Sequence, residues 1–394
     1  MLAAAASQAA VYVARPTTSY RLLALGDGAL EVGLVTAAFA IIPLFLAIPL
    51  GRVTDRRHGL PLLLIGCGLQ VGACLGLAVA GSTVTIAAAS ALLGLGHLGL
   101  ALGVQDVIAR ESDPKHHDQH FGLLTAAVSL GQLAGPLLGG ALLSESRTGL
   151  EAATTRAMLA AAGVAFAATV FAGLANERHR ATRSPATSEA GRASVRRIIT
   201  TRGVPTGIFA SIAVLTAADV FTAYMPVLGE DRGIDPGLVG VILAVRAAAS
   251  MASRIGIGPI VARVGRLRLI SLSATSSAAA LLAVTFTDNA FALAALAAVA
   301  GFGLGFGQPL SMTMVVQSVP ERVRGTALAV RLTGNRVGQV AVPATAGAVA
   351  GSAGIGSVFW LLAGLLLASA VAVERQPDRR ERVRVAPVEL EDVT

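Results

Sequence analysis

Asp219 and five arginines lie deep inside apolar stretches of this chain, with Asp106 near the end of another. Asp219 sits midway along 205–228, and Arg15, Arg246, Arg254, Arg331 and Arg336 lie within others. An ionisable side chain in a long apolar helix faces a protein interior or a wet cavity, and it marks a route for ions or ligands. The chemistry open to such a set is binding and proton transfer. A carboxylate held by a guanidinium releases its partner when it takes a proton. Asp219 is the counterpart of Arg15 at an offset of 204 residues, so two halves facing each other place the two groups at similar depth. A static pair, or an Arg15 that snorkels to the surface, is the plainer alternative. His97, midway along 83–109, is a second group able to titrate. The plainer account of it is a hydrogen-bonded core histidine.

Uncharged polar residues share helical faces with these ions. Arg246, Ser250, Ser253 and Arg254 follow i, i+4, i+7, i+8 spacing. Arg331 with Asn335 forms one stripe, Arg336 with Gln339 another, and Ser129 with Gln132 a third. Gln132, Arg246, Gln308, Arg331, Asn335, Arg336 and Gln339 are therefore assigned to a substrate cavity, together with Tyr20 and Tyr224, which are also related by 204. Interhelical hydrogen bonds that merely hold a bundle together are the competing role. Five arginines against Asp219 make the lumen electropositive, which favours anionic or neutral cargo.

Catalytic sets are missing from the sequence. No Ser/His/Asp arrangement stands out. His116, His117 and His120 with Asp113 and Asp118 fit no standard metal spacing. Gly94-x-Gly96-x-x-Gly99 imitates a dinucleotide fingerprint but lies in an apolar helix with no strand before it. Cys67 and Cys74 are two helical turns apart, about 10 Å, too far for a disulfide, and read as packing residues. The expectation is no enzyme, no metal and no cofactor.

The elements that position these residues follow from composition. The chain has 394 residues, 54% hydrophobic and 14% charged, well under the roughly 25% charge of soluble domains. About twenty apolar residues cross a bilayer. Apolar stretches fall at 2–25, 33–51, 61–81, 83–109, 121–143, 155–175, 205–228, 237–258, 267–286, 290–316, 325–349 and 356–373. The prediction is twelve transmembrane helices, spans 1 to 12, in an all-α membrane protein. Of 31 Lys and Arg, 22 fall on the side of the termini and four on the other, so both termini are expected in the cytoplasm. A net charge of +8 is then a matter of topology, with a lipid bilayer and no nucleic acid as partner. One lysine, Lys115, against 30 arginines is the usage of a GC-rich bacterial genome, hence an expected bacterial inner membrane; a monomer is expected as well. Span 1 lacks a basic leader and is a poor signal peptide. Its polar second half, Arg15 to Arg21, is expected to be shielded by other helices.

The chain divides into 1–175, a basic linker at 176–204, 205–373 and a tail at 374–394. The two blocks match at an offset of 207. Gly51 and Arg56 align with Gly258 and Arg263, Gly94 and Gly96 with Gly301 and Gly303, and Gly131, Gln132 and Pro136 with Gly338, Gln339 and Pro343. Parallel six-helix repeats form two pseudo-symmetric bundles, an architecture of transporters.

Three motifs carry a resemblance over nearly the whole chain. Gly51-Arg52-Val53-Thr54-Asp55-Arg56 between spans 2 and 3 is one, with a weaker copy from Gly258 to Arg268 that has Ala262 for the acid. Gly122, Gly131, Gly135, Pro136, Gly139 and Gly140 on span 5 form the second. Three of these glycines recur every fourth residue and make one smooth face. The run Gly301 to Pro309 on span 10 is the third. On these residues the chain resembles a major facilitator superfamily transporter, and its span 5 is similar to the motif of drug:proton antiporters. The resemblance implies the major facilitator fold and alternating access. It also implies a latch in which Arg56 pairs with Asp106 on span 4 while Asp55 faces the N-terminus of span 11. Gly51 and Arg263 belong to the same device. The expected function is proton-coupled efflux of a small anionic or neutral amphiphile, driven by the proton gradient. Proton coupling is assigned to Asp219, Arg15 and His97. Uptake of an organic anion by symport or uniport is the alternative, and a non-transporting sensor on the same fold is the reading from another class.

Overall fold

The structure is a computed structural model that describes residues 1–55, 59–111, 117–144, 149–179, 195–320 and 323–376. Fourteen helices are present among the described residues: α1 Leu2–Ala24, α2 Ala29–Asp55, α3 Gly59–Val79, α4 Thr83–Glu111, α5 His117–Ser144, α6 Leu150–His179, α7 Val195–Ile199, α8 Val204–Asp231, α9 Pro236–Ile255, α10 Ile257–Val264, α11 Arg266–Val284, α12 Ala290–Gln317, α13 Arg324–Ala353 and α14 Gly356–Glu374. Twelve of them have nineteen residues or more, as the sequence predicts, and ten of those are apolar enough to cross a membrane. Of the two that fall short, α1 is largely buried, whereas α13 buries one polar face and exposes the other. Side chains within them supply much of the site.

The six long helices of each half form a bundle. In the first, α3 packs on α4 and α6, α1 on α5 and α6, and α2 on α4. The second repeats each of these pairings with α11 on α12 and α14, α8 on α13 and α14, and α9 on α12. Glycines make the repeats congruent. A Cβ on Gly94 would strike the carbonyl of Phe39, and one on Gly301 would strike that of Arg246. A Cβ on Gly96 would meet Gly66 and Gln70, and one on Gly303 would meet Ser273 and Ser277. Each partner is again 207 residues from its counterpart. With lipid tails as solvent, close backbone approach replaces the hydrophobic effect as the source of packing energy.

The polar half of α1 is shielded as expected, with Pro16 to Leu22 all buried. Its groups are satisfied locally: Thr17 Oγ1 donates to the Val13 carbonyl at 2.7 Å and Thr18 Oγ1 to that of Ala14 at 2.8 Å. Arg21 reaches the open end of α3, donating from Nε and Nη2 to the Ala80 carbonyl at 3.2 and 3.0 Å. Arg232 does the same for α11, donating from Nη1 to the Val284 carbonyl at 2.9 Å and from Nη2 to that of Thr285 at 3.1 Å. A cation on the unpaired carbonyls of a helix C-terminus is favoured by the helix dipole. Two basic residues on the side away from the termini are thereby tied into the fold.

The sequence expectation for span 8 needs correction. It does not run to 258. α9 stops at Ile255, and α10 follows as a short amphipathic piece with no buried residue. Pro259 has no N–H for the Ile255 carbonyl, which breaks the helix there. The stretch expected to be a plain linker holds α7.

Candidate functional site

Contacts between the bundles are concentrated at the end away from the termini. Gly240 on α9 and Gly140 on α5 bring their backbones together, and a Cβ on Gly240 would lie 2.4 Å from the Pro136 carbonyl. In the mirror position, a Cβ on Gly33 of α2 would lie 2.5 Å from the Pro343 carbonyl of α13. Ser144 Oγ donates to Asp235 Oδ1 at the outer rim, Tyr224 Oη donates to the Ala29 carbonyl at 2.8 Å, and Ser19 Oγ donates to the Ala223 carbonyl at 2.7 Å. Innermost comes the ion pair of Arg15 and Asp219, with Nη1 to Oδ1 at 2.7 Å. The described inter-bundle hydrogen bonds therefore form a ladder that closes one side and ends at mid-membrane on the two charges.

Below the ladder lies a cavity of about 200 Å³ lined from both bundles. The first bundle contributes Gln8, Tyr12, Arg15, Phe39, His97 and Gln132. The second contributes Asp219, Asn335, Arg336 and Gln339. A chain of bonds crosses it. Gln339 Nε2 donates to Asp219 Oδ2 at 2.6 Å, and Gln339 Oε1 accepts from Arg336 Nη1 at 2.9 Å. Asp219 thus has one carboxylate oxygen on Arg15 and the other on Gln339. Arg15 also lies over the Phe39 ring, 5.0 Å from its centroid, a favourable place for a cation. Two guanidiniums face one carboxylate here, so the cavity carries one positive charge in excess.

Glycines of α5 hold this geometry in place. Gly131 and Gly135 seat α1 against α5 at Ala5, Gln8, Ala9 and Tyr12, and Gly139 touches Val13 and Thr17. Pro136 and Gly140 face α9 on the other side. Nothing lies within 4 Å of a Cβ on Gly122. The smooth face expected from the four-residue spacing is therefore the bed of the helix that carries Arg15.

Several assignments change. Tyr20 and Tyr224 do not line the cavity. Both are buried in the closed half, Tyr20 against Leu143 and Ala153 and Tyr224 against α2. Arg246 is buried beside the Phe221 ring with Nη2 near Thr222 Oγ1 at 3.5 Å, away from either cavity. Gln308 and Arg331 line a separate cavity nearer the termini. His97 is not hydrogen-bonded at Nδ1; it faces the central cavity with Phe39 at 6.0 Å between ring centroids. Asn335 Oδ1 accepts from Ser211 Oγ at 2.8 Å.

The latch is seen only in part. Arg56 lies outside the described residues, as does the side chain of Asp55. Gly51 has open space where a Cβ would be. Asp106 sits against Gly59, so close that a Cβ there would lie 2.1 Å from Oδ2. That places its carboxylate at the N-terminus of α3, where helix amides and dipole favour an anion. Arg263 is exposed on α10.

Sequence reasoning missed Gln8, Tyr12 and Phe39. The first two were within reach: Gln8, Tyr12, Arg15 and Ser19 follow i, i+4, i+7, i+11 and make one face of α1. Phe39 carries no such mark.

The family model described as Major Facilitator Superfamily matches residues 1–235 and again 207–392. Among curated proteins, the 4-hydroxybenzoate transporter PcaK of Pseudomonas aeruginosa is 30% identical over 109 residues, which is 28% of this chain and 24% of that transporter's length. Among solved structures, a mutant of the nucleoside transporter NupG superposes with a TM-score of 0.76 at 13% identity, over 96% of this chain and 98% of the other. A D-xylose-proton symporter gives 0.74 at 13% identity, over 96% and 97%. A bacterial homolog of the human lysosomal transporter Spinster, inward-facing and unoccupied, gives 0.69 at 15% identity, over 95% and 94%. At these identities the structural likeness speaks for the fold.

Proposed function

We propose that this chain, which belongs to the Major Facilitator Superfamily, moves a small organic anion together with a proton by alternating access. The excess of basic residues on the termini side makes that side cytoplasmic, and the ladder then closes the outside, leaving the chain inward-facing. The observation that carries the reading is the Arg15–Asp219 pair, the innermost rung of the ladder and also part of the cavity wall.

The coupling follows from charge. A proton on Asp219 removes the carboxylate that holds Arg15. The freed guanidinium, beside Arg336, then presents two positive charges to the cavity. An anion binds there more tightly once the proton is on, and by reciprocity the proton binds more tightly once the anion is on. Ligands that favour each other travel together, which is symport. In a membrane whose proton gradient points inward this is uptake. The local likeness to a 4-hydroxybenzoate transporter supports an aromatic carboxylate as the class of anion. His97, in the same wall, stands beside the coupling pair as a secondary proton site.

The second reading is export of an anionic or neutral amphiphile in exchange for protons. The complete glycine and proline set on α5 favours it. That set beds α1 and meets α9, a service that rocking in either direction requires.

Purified protein in liposomes containing a pH-reporting dye separates the two. A benzoate pulse outside should acidify the lumen, and Asp219→Asn should abolish the acidification while keeping exchange of labelled for unlabelled benzoate. Lumenal alkalinisation would instead mean antiport.

A further inference from the structure

The cavity nearer the termini contains a second pair of guanidiniums. It has a volume of about 320 Å³ and is lined by Thr125, Arg254, Ile257, Gln308, Pro309, Met312 and Arg331, with no carboxylate among them. Arg331 is 4% exposed. Its Nη2 donates to Gln308 Oε1 at 2.7 Å, to the Gln308 carbonyl at 3.1 Å and to Ser311 Oγ at 3.3 Å. These partners are neutral, and its buried Nε has no partner at all. Arg254, on the facing helix, likewise buries an unpartnered Nε. Arginine stays ionised in proteins, and a buried cation without a counter-charge is costly unless something supplies one. Pairs elsewhere in the molecule show the contrast: Arg15 has Asp219, Arg21 has Glu151 and Arg232 has Asp288.

We propose that Arg254 and Arg331 form a second anion-binding station on the termini side of the central cavity. It would hold the carboxylate of the organic anion as it passes between the central site and the open side. Arg331 lies five residues before Arg336 on α13, about 7.5 Å along the helix, so the two sites are steps on one path. Thr125 comes from α5 of the first bundle and the rest of the lining from the second, so the station is shaped by the inward-facing arrangement. The apolar wall of Ile257, Pro309 and Met312 suits the body of an amphiphilic anion and also that of a lipid. A phospholipid headgroup offers the same anionic chemistry, and the experiment separates the two sources. The proposal rests on the reading that the cargo is an organic anion.

Isothermal titration with benzoate on the full chain in detergent tests it. Wild type should bind two benzoates, and Arg336→Gln should keep the station alone. Arg254→Gln, which removes no described hydrogen bond, should weaken one of the two sites about tenfold or more, the loss of one charge-assisted bond. Arg331→Gln should do the same, and Arg331→Lys, which keeps the charge, should retain two sites and report on folding. One benzoate in wild type, unchanged by Arg254→Gln and abolished by Arg336→Gln, would overturn the station and leave the central site standing. Loss of binding in the Arg254 variant with none in Arg336→Gln would uphold the station and overturn the central reading instead. The same titration in nanodiscs distinguishes the occupant. Two sites persisting with phosphatidylglycerol present support cargo, whereas loss of the second site in phosphatidylglycerol but not in phosphatidylcholine assigns it to lipid and overturns the proposal.

Discussion

Gly240→Ala should shift the resting conformation away from the state closed at the end opposite the termini. The added methyl would lie 2.4 Å from the Pro136 carbonyl, where ordinary contact begins at 3.4 Å. The α5–α9 seam must open by about 1 Å at that point, and both sides of it are helical backbone. Overpacking of this kind costs about 1–3 kcal/mol. The gain of roughly 1 kcal/mol from replacing a helical glycine by alanine is present in both conformations and cancels between them. That closed state should therefore lose about 5- to 150-fold in relative population. Gly33→Ala should act alike, since its methyl would lie 2.5 Å from the Pro343 carbonyl. The assay is the distance between spin labels at Val84→Cys and Phe291→Cys, which are 78% and 88% exposed at the outer ends of α4 and α12. Cys67 and Cys74 are buried and should stay unlabelled. Both variants should populate a longer distance. Gly122→Ala, with nothing within 4 Å of its methyl, is the control from the same α5 motif. A wild-type distribution in both seam variants, or an equal shift in the control, would refute the claim that these crossings set the closed state.

Other outcomes follow from single contacts. In thermal unfolding, a double-mutant cycle of Arg15→Gln and Asp219→Asn should give a coupling energy of about 1–3 kcal/mol, because either change alone leaves a buried group without its partner; additivity would mean the pair does not hold the helices. Arg21→Gln and Arg232→Gln should each destabilise by about 1.5–3 kcal/mol, the worth of a hydrogen bond to a charged donor, read as a fall in melting temperature with transport direction unchanged. Gly59→Ala should displace the Asp106 carboxylate and cost about 1–3 kcal/mol, and Asp106→Ala should relieve that loss when combined with it. Transport by Asp219→Asn should no longer rise as the outside is acidified, whereas His97→Leu, which matches its counterpart Leu304 in the other half, should keep that rise; the reverse pattern would move the coupling proton to His97.

Much of the architecture is legible because apolar length and small-residue spacing are local properties. Twelve spans, the duplicated blocks and the smooth glycine face of α5 can all be read from periodicity, though not that α1 is the helix seated on that face. The ion pair is legible for a different reason, since the offset that aligns the halves places position 15 opposite 219. Tyr20, Tyr224 and Arg246 could not be sorted in the same way. Each is polar and helical, as cavity residues are, and only the direction of a neighbouring helix turns them into the seal or the packing. Arg331 shares a face with the cavity residue Asn335, one turn further along α13, yet lines the other cavity, and Gln308 lies on α12, which sends no residue into the central one. Depth along an axis decides which cavity a residue lines, and a stripe on a helical wheel does not contain it. The break after Ile255 was marked by Pro259, but the apolar run through it hid the signal.

The duplicated seams also bear on how such a chain can change its cargo. Glycines crossing at Gly33 and Gly240, and those at Gly94 and Gly301, repeat from one half to the other and fix how the halves move. Of the polar groups of the cavity, Gln132 and Gln339 repeat, but the charged ones and their neighbours do not: Arg336 corresponds to Ser129, Asn335 to Val128 and Asp219 to Arg15. Motion and selectivity are thus inherited through different positions of an ancestral duplication. A lineage, or a designer, can rewrite α13 side chain by side chain to suit a new ligand while the hinge geometry stays under separate selection.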